Sequence, residues 1–447
     1  MIEWRYILLQ VFTAVAVAVV LLLASTNTAR LNDMNRKVQA GATREPQSAD
    51  PAESFVEILM EPSSLAHLSA GYTGIAPSIH MIKLGSSRPL SNLDPIEHPA
   101  RRRFGRVDFS FAFLVFLPIA LIPMYFLIYR KCTARGDVEK LTTGRTTLGD
   151  FVIERVVLPV FAIAGFVALV TLACIYGAGV RLGSNEQLIL MLVWGISLAV
   201  YVLLWMLLFS WLLLRTKAFQ AALLQYAGIF LLVVFIVPQL VQSIGLAINR
   251  PMGRLPLVVA RRQAAMQVRQ DDVAGINRYL ERNKLGPILL ETPLPAAQAQ
   301  ALVNLRIEEM VAPKLAEFEA SVARLDTFAS IASWTTPYLV AQFMIDEIAG
   351  TGLRRHSDFR QKSIEFHATW QKFTLPLLAK RQIMDFDILR SAPKFTFPPE
   401  DADTVLLSVA PRLMLLVAIA IALGVAIASE IAKILPKTKK AARRDGL

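Results

Sequence analysis

Cysteine is almost absent from this chain. Its two copies, Cys132 and Cys174, fall one in a basic loop and one in an apolar run, so they build neither a disulfide framework nor a cysteine metal site. Charge is also scarce, at 18% of 447 residues, where soluble domains carry about 25%. Motifs of chemistry are missing too: there is no GxxxxGK[ST] loop to cradle a nucleotide phosphate, no HExxH and no GxSxG. The histidines His67, His80, His98, His356 and His367 are scattered, and exposure is the ordinary fate of each. Only His356 and His367 could share a helix face and hold a metal. Asp346-Glu347 is a paired acid, and a solvated helix face explains it better than catalysis does.

What the chain has in excess is apolar surface: 54% of its residues are hydrophobic, and its mean hydropathy is +0.47. Long apolar runs place it in the membrane class. The net charge of +12 would suggest nucleic acid in a soluble protein. Here much of the excess sits beside apolar runs, in Arg130–Arg155 and Lys433–Arg444, as cytoplasmic flanks held against anionic lipid do. Membrane lipids are therefore the expected partner and nucleic acid is not.

Two runs organise the rest. Phe109–Tyr129 and Val156–Tyr176 are uncharged and each holds roughly 20 residues, about 30 Å of helix, enough to cross a bilayer. The basic loop between them, residues 130–155, should stay cytoplasmic and is long enough to hold a short helix along the membrane surface.

The other runs extend this plan. Tyr6–Ser25 is a first span. A secretory signal peptide competes with it through the small residues after Ala24, but MIEWR balances one acid with one Arg and the run is long. Residues 26–107 form an extracytoplasmic segment: Gly41–Glu53 reads as loop, and Ser54–Ser69 as an amphipathic turn or short helix. Leu188–Leu214 is a span in which Trp194 and Trp205 should pack inside the bundle and Trp211 should sit in an interfacial belt. Ala221–Ile248 is a further span interrupted by Pro238, Gln239 and Gln242. A proline kink satisfied by neighbouring helices accounts for these three, and they are also the candidate substrate path. Residues 249–408 are expected to fold as a helical extracytoplasmic domain. Leu257–Asn283 and Pro295–Phe328 carry apolar residues at helical spacing, as does Trp334–Gly350. Gly352 reads as a stop, and Ser357 or Asp358 as the cap of a helix running to about Arg381. Phe395–Pro399 is extended. Leu339, Phe343, Ile348, Phe366 and Trp370 are expected in the core of this domain. Residues 409–436 hold the sixth span, with Arg412 just before its apolar run, and residues 437–447 are a basic cytoplasmic tail.

The expected fold is thus an all-α polytopic membrane protein with six transmembrane helices and a mainly helical extracytoplasmic domain: residues 1–25 as the first helix, 108–248 as helices two to five. Both termini and every short basic loop then lie inside. The spans lack the buried ionisable groups of proton-coupled carriers, so the energy for any transport must come from elsewhere, which points to a separate ATPase.

The stretch from Leu93 to Pro159 resembles the permease subunits of type-2 ABC exporters. In that family a phrase close to "GRFDFAFV…LLP" opens the second span, and Arg106, Asp108, Phe109, Phe111, Phe113 and Pro118 occupy it here. The following cytoplasmic loop, usually close to "ER…GTL…L…P.S", forms the coupling helix that docks on the ATPase; Arg135-Gly136, Leu141 and Leu148 match it. Gly350-Thr351-Gly352, Arg355-His356 and Phe359 are similar to the branch with a large extracytoplasmic insertion before the last span, related to permeases of copper-enzyme maturation and gliding.

The resemblance implies a subunit of the bacterial inner membrane that couples ATP hydrolysis on another chain to outward movement of a substrate. It implies two copies of an ABC ATPase, which carry the ATP and Mg, and a second permease, identical or related. This chain itself would hold no cofactor, metal or catalytic residue. Arg135, Gly136, Lys140, Leu141, Arg145 and Leu148 would form the ATPase-docking face. A non-transporting transducer that acts on a periplasmic protein is the alternative.

Overall fold

The computed structural model describes residues 55–74, 79–83, 90–91, 108–119, 122, 184–216, 218–250, 252–270, 273–282, 296–380, 382, 386–398 and 401–444. Their fold is mostly helical, with one small sheet. Three helices are long and apolar enough to cross a membrane: α2 (Asn185–Thr216), α3 (Phe219–Asn249) and α10, whose apolar part is Ala402–Glu430 and which runs on to Arg444. A shorter apolar helix, α1 (Phe109–Ile119), joins them. The expected first span, the second half of the Phe109–Tyr129 run and the whole Val156–Tyr176 run lie outside the described residues.

α1 and α3 solve the same problem in the same way. Each carries a proline, Pro118 or Pro238, which has no N–H and whose ring crowds the carbonyl four residues back. In each, a π turn precedes it: Ala112–Phe116 in α1, closed by Leu117 N–H on the Ala112 carbonyl, and Leu232–Ile236 in α3, closed by Val237 N–H on the Leu232 carbonyl. The wider turn accommodates the ring without ending the helix. In α1 the carbonyl that Pro118 leaves without its helical donor is Leu114's. The Tyr201 hydroxyl of α2 donates to it at 2.9 Å, and Tyr226 of α3 donates to the Pro118 carbonyl at 3.1 Å. A backbone acceptor that no water can reach is satisfied by side chains from neighbouring helices.

Aromatic edges fill the space around these bonds. Trp194 meets Phe113 at 5.3 Å and Trp205 meets Phe230 at 5.2 Å, both edge-on. Both tryptophans are buried, as their mid-helix positions predict. Trp211 is half-buried, with the Arg215 guanidinium 5.3 Å over its ring, as suits a belt residue.

The 249–408 stretch is helical, but it divides. α4 (Arg254–Gln270), α5 (Val273–Arg282), α6 (Ala296–Ala332) and α8 (Leu353–Ala379) form one body, and a short α9 (Phe386–Ser391) follows α8 in the chain. α4 lies along α6 through Ala264, Val268, Ile307 and Val311. α6 returns to the membrane helices at Gly245 of α3, where a Cβ would stand 2.3 Å from the Phe328 ring. The chain then turns at Ser333–Thr336 into α7 (Pro337–Ile348). Thr336 caps α7 by accepting from Leu339 N–H at 3.1 Å, with Pro337 as its first residue.

α7 does not join that body. Val340, Ala341, Met344, Ile345 and Ile348 are buried in the same core as Trp194, Phe113, Val405 and Leu416, and α7 touches both π turns. The expected shared core of Leu339, Phe343, Ile348, Phe366 and Trp370 is therefore two cores. Ile348 belongs with the membrane helices, while Phe366 and Trp370 pack against the sheet. The reason is composition: α7 is buried from Met344 to Ile348 without a break, and such a helix needs neighbours on every side.

The sheet corrects two expectations, an all-α chain and a helix within Ser54–Ser69. β1 (Phe55–Leu59), β2 (Ile79–Lys83) and β3 (Leu90–Ser91) are antiparallel in the order β1-β2-β3, with Ile58 opposite His80 and Val56 opposite Ile82. FVEIL alternates at period two and is rich in the bulky residues that strands favour. Ile58 and Ile82 bury against Phe359 and Trp370 of α8, and Phe395 and Phe397 of the extended 393–398 segment close this core. α8 starts at Leu353 with Gly352 as its cap, earlier than Ser357, because the break in the chain is Gly350 at φ 68°.

Candidate functional site

The polar groups buried at the junction of sheet, α1 and α7 form one connected site. Asp108 caps α1: its Oδ1 accepts from Phe111 N–H at 2.8 Å and from the Ser110 hydroxyl at 2.7 Å. Its Oδ2 accepts from the Ala70 N–H at 2.8 Å, so the cap of α1 also holds the loop after β1. The next residue in that loop's grip is Ser69, whose hydroxyl donates to Asp346 of α7 at 2.5 Å. Gln342, one turn back on α7, donates to the same Asp346 oxygen at 2.8 Å and reaches the Ser110 hydroxyl at 3.4 Å. Two carboxylates from distant parts of the sequence are thus tied through Ser110, Gln342 and Ser69.

The turn after α7 locks into the same loop. Tyr72 N–H donates to the Thr351 carbonyl at 2.9 Å. Gly71 has φ 40° and lies so close to Thr351 that a Cβ there would stand 2.5 Å from its hydroxyl, so only glycine fits. Glu347 pairs with Arg354 at 3.1 Å, and its carboxylate fills the space a Cβ on Gly352 would need. The Gly350-Thr351-Gly352 and Arg355-His356 residues singled out in the sequence are brought together here. Arg355 donates to the Glu61 carbonyl at 2.9 Å, and His356 Nδ1 lies 3.1 Å from the Gly352 carbonyl.

Burial sets the protonation of the site. It pushes the Asp346 carboxyl up to about 7; the hydrogen bond from Ser69 opposes this, and the charge of Asp108 adds to it. Burial also holds His356 down at about 4, which keeps its ring neutral. Tyr72 is raised, first by burial and then by the fields of Asp326 and Asp346. Among the described residues no group of three or more His, Cys, Asp or Glu is arranged to hold a metal.

Several sequence expectations are corrected at this site. Asp346 and Glu347 are 7% and 5% exposed, not a solvated helix face. His67, His80, His356 and His367 are buried, not exposed. His356 and His367 both lie on α8, three turns apart, too far to share an ion. The helix that carries the expected sixth span begins earlier than residue 409, at Ala402, and Arg412 directly precedes its uncharged run Leu413–Ser429. Of the candidate substrate path, Pro238 is half-buried, while Gln239 and Gln242 are exposed on α3. The docking residues Arg135, Gly136, Lys140, Leu141, Arg145 and Leu148 lie outside the described residues.

The acid pair escaped the sequence because its partners are remote: Ser69 and Asp346 are 277 residues apart. One signal was present. An Asp directly before an apolar run is a helix cap, and Gln342 stands one turn before Asp346.

A family model described as "Domain of unknown function (DUF3526)" matches residues 276–398, from α5 through α8 to the extended segment that closes the sheet core. No curated protein and no solved structure matches the chain.

Proposed function

We propose that this chain is the membrane-spanning permease subunit of a type-2 ABC exporter in a bacterial inner membrane. It would work with two copies of an ATPase subunit, which hold ATP and Mg, and with a second permease, identical or related. In this reading it has six spans with both termini cytoplasmic, and the sheet and the α4–α6 and α8 body lie outside. One observation carries the reading. The phrase that resembles the family, Asp108 to Pro118, forms the capped start of a helix packed against α2, α3 and α7. Displacement of the loop at residues 130–155 would then be delivered through that helix to everything Asp108 holds. The exposed Gln239 and Gln242 on α3 suit a path for a polar substrate group.

A second reading is favoured by the junction itself. Asp108 grips Ala70, and Asp346 grips Ser69, so movement of α1 is passed directly to the outer loop and sheet. A transducer that reshapes the outer body to act on a periplasmic protein would need such a link.

Replacing Leu141 and Leu148 with Asp tests the shared premise. The double variant should insert normally yet lose a co-purifying ATPase and its stimulation. Retention of a fully stimulated ATPase would remove the docking role.

A further inference from the structure

We infer that Glu347 switches ion-pair partners, from Arg354 at the start of α8 to Arg412 on α10, and that the switch frees the first turn of α8 from α7. The switch depends neither on the permease reading nor on a choice of topology. Glu347 accepts from Arg354 Nε at 3.1 Å. Its carboxylate also lies where a Cβ on Gly352 would stand, so it sits directly over the α7–α8 turn. Gly350, at φ 68°, makes that turn.

The second cation is close by. Arg412 lies on the buried stripe of α10, between Val409 and Leu416. Its side chain runs back one turn, as helical side chains do, and Nη1 donates to the Ser408 carbonyl at 2.9 Å. The guanidinium carbon is 5.0 Å from the Trp334 ring centre and 6.0 Å from that of Phe343. Phe343 and Glu347 are four residues apart on α7 and so share a face. Arg412 thus stands against the residue one turn from the acid, and the field of Glu347 reaches it.

The two arginines differ in what they lose without Glu347. The Arg354 side chain is 33% exposed and can turn to water. Arg412 is flanked by two rings and its own helix, and its Nε is buried with no hydrogen-bond partner. Among the described residues no carboxylate pairs with it. Glu347 is therefore held by the cation that needs it less, and leaving Arg354 gives Arg412 the counter-ion it lacks. The present pairing is favoured by the turn itself, because Arg354 is fixed on the first turn of α8 while α8 packs on the sheet. Opening of α8 removes that constraint first.

The test is hydrogen exchange of the amides of residues 350–356 in the full chain in detergent, with tryptophan emission as a second readout. Arg354→Gln should speed that exchange about tenfold, as loss of a partly exposed charged hydrogen bond does. Arg412→Gln should slow it, because the open state loses the partner that receives Glu347, and Arg412→Lys, which keeps the charge, should exchange as wild type. A merely structural role for Arg412 would make both Gln variants exchange faster, so the opposite signs are the signature. The Trp334 component of emission, taken as the difference from Trp334→Phe, should shift in Arg354→Gln as Arg412 leaves the ring for Glu347. Adding Glu347→Gln to that variant should cancel the shift. Exchange that quickens or stays unchanged in Arg412→Gln would overturn the inference. So would a Trp334 shift that survives the loss of Glu347, or Trp334 emission in Arg354→Gln equal to wild type. If Arg354→Gln does not elute as wild type, the exchange of Arg412→Gln decides by itself.

Discussion

α7 and α8 leave the same glycine turn and are held by opposite means. α7 is short, buried without a break from Met344 to Ile348, and packed against α2, α10 and the π turns of α1 and α3. Its polar groups are matched from elsewhere in the chain: Asp346 by Ser69 and Gln342, Glu347 by Arg354. α8 is long and two-faced, with one side on the sheet and the other exposed. Some of its buried polar atoms, His356 Nε2 and Trp370 Nε1, have no hydrogen-bond partner. The cores differ in the same sense. The one around α7 is a single large cluster, whereas α8 borders two small ones. Local stability follows contiguous buried contact, so the body around the sheet, α6 and α8 should open on its own while the core around α2, α3 and α10 stays closed.

Trp370→Ala is the strongest way to break that contrast. Trp370 is fully buried, 6.4 Å from Phe366 and 5.9 Å from Phe373 between ring centres. Truncating such a ring costs about 3–5 kcal/mol. Limited proteolysis should show cleavage in α8 and the sheet loops, with α2 and α3 protected as before. Equal loosening of the membrane helices would mean the two cores are one cooperative unit.

The junction offers a sharper and smaller test. Asp346→Ala leaves the Ser69 hydroxyl and a Gln342 N–H buried without an acceptor, at about 1–3 kcal/mol. Asp346→Asn keeps an acceptor oxygen and removes the charge, so it should be tolerated. Hydrogen exchange of the loop at residues 69–72 should rise in the Ala variant and stay near wild type in the Asn variant. If exchange rises as much in the Asn variant as in the Ala variant, Asp346 holds that loop through its charge; if it rises in neither, Asp346 does not hold it.

Much of this was legible in the sequence. Uninterrupted apolar runs marked α2 and α3 to within a few residues. Amphipathic spacing located α4, α6 and α8 because each has one polar face, which is what periodicity detects. α7 was legible as a helix and not as a membrane-core element. Its length of 12 residues is too short to cross a bilayer, and its acids suggested solvent. Only the tertiary fold brings Ser69, Ser110 and Arg354 to those acids.

The smallest expected effect belongs to the α6–α8 body and to an acid that contrasts with Asp346. Glu308 of α6 accepts from Gln371 of α8 through Oε2 at 3.4 Å, while its Oε1 is buried with no partner. Burial pushes its carboxyl up to about 8, against the opposing field of Arg261 and the bond from Gln371. The sign follows from linkage. The folded protein keeps this proton up to about pH 8, while the unfolded chain releases it above its ordinary value of 4.5. The stabilising contribution is therefore complete below about pH 4.5 and is lost progressively as pH rises to about 8. For one proton the ceiling is about a tenfold change in the folded-to-unfolded ratio per pH unit, and solvent near a half-buried group reduces it. Glu308→Gln stays neutral throughout. Proteolysis of the α6–α8 contact should accelerate from pH 5.5 to pH 8 in the wild type and change little in the variant. Equal slopes in the two proteins would show that Glu308 is ionised in the folded state and that this body owes its lability to its small cores alone.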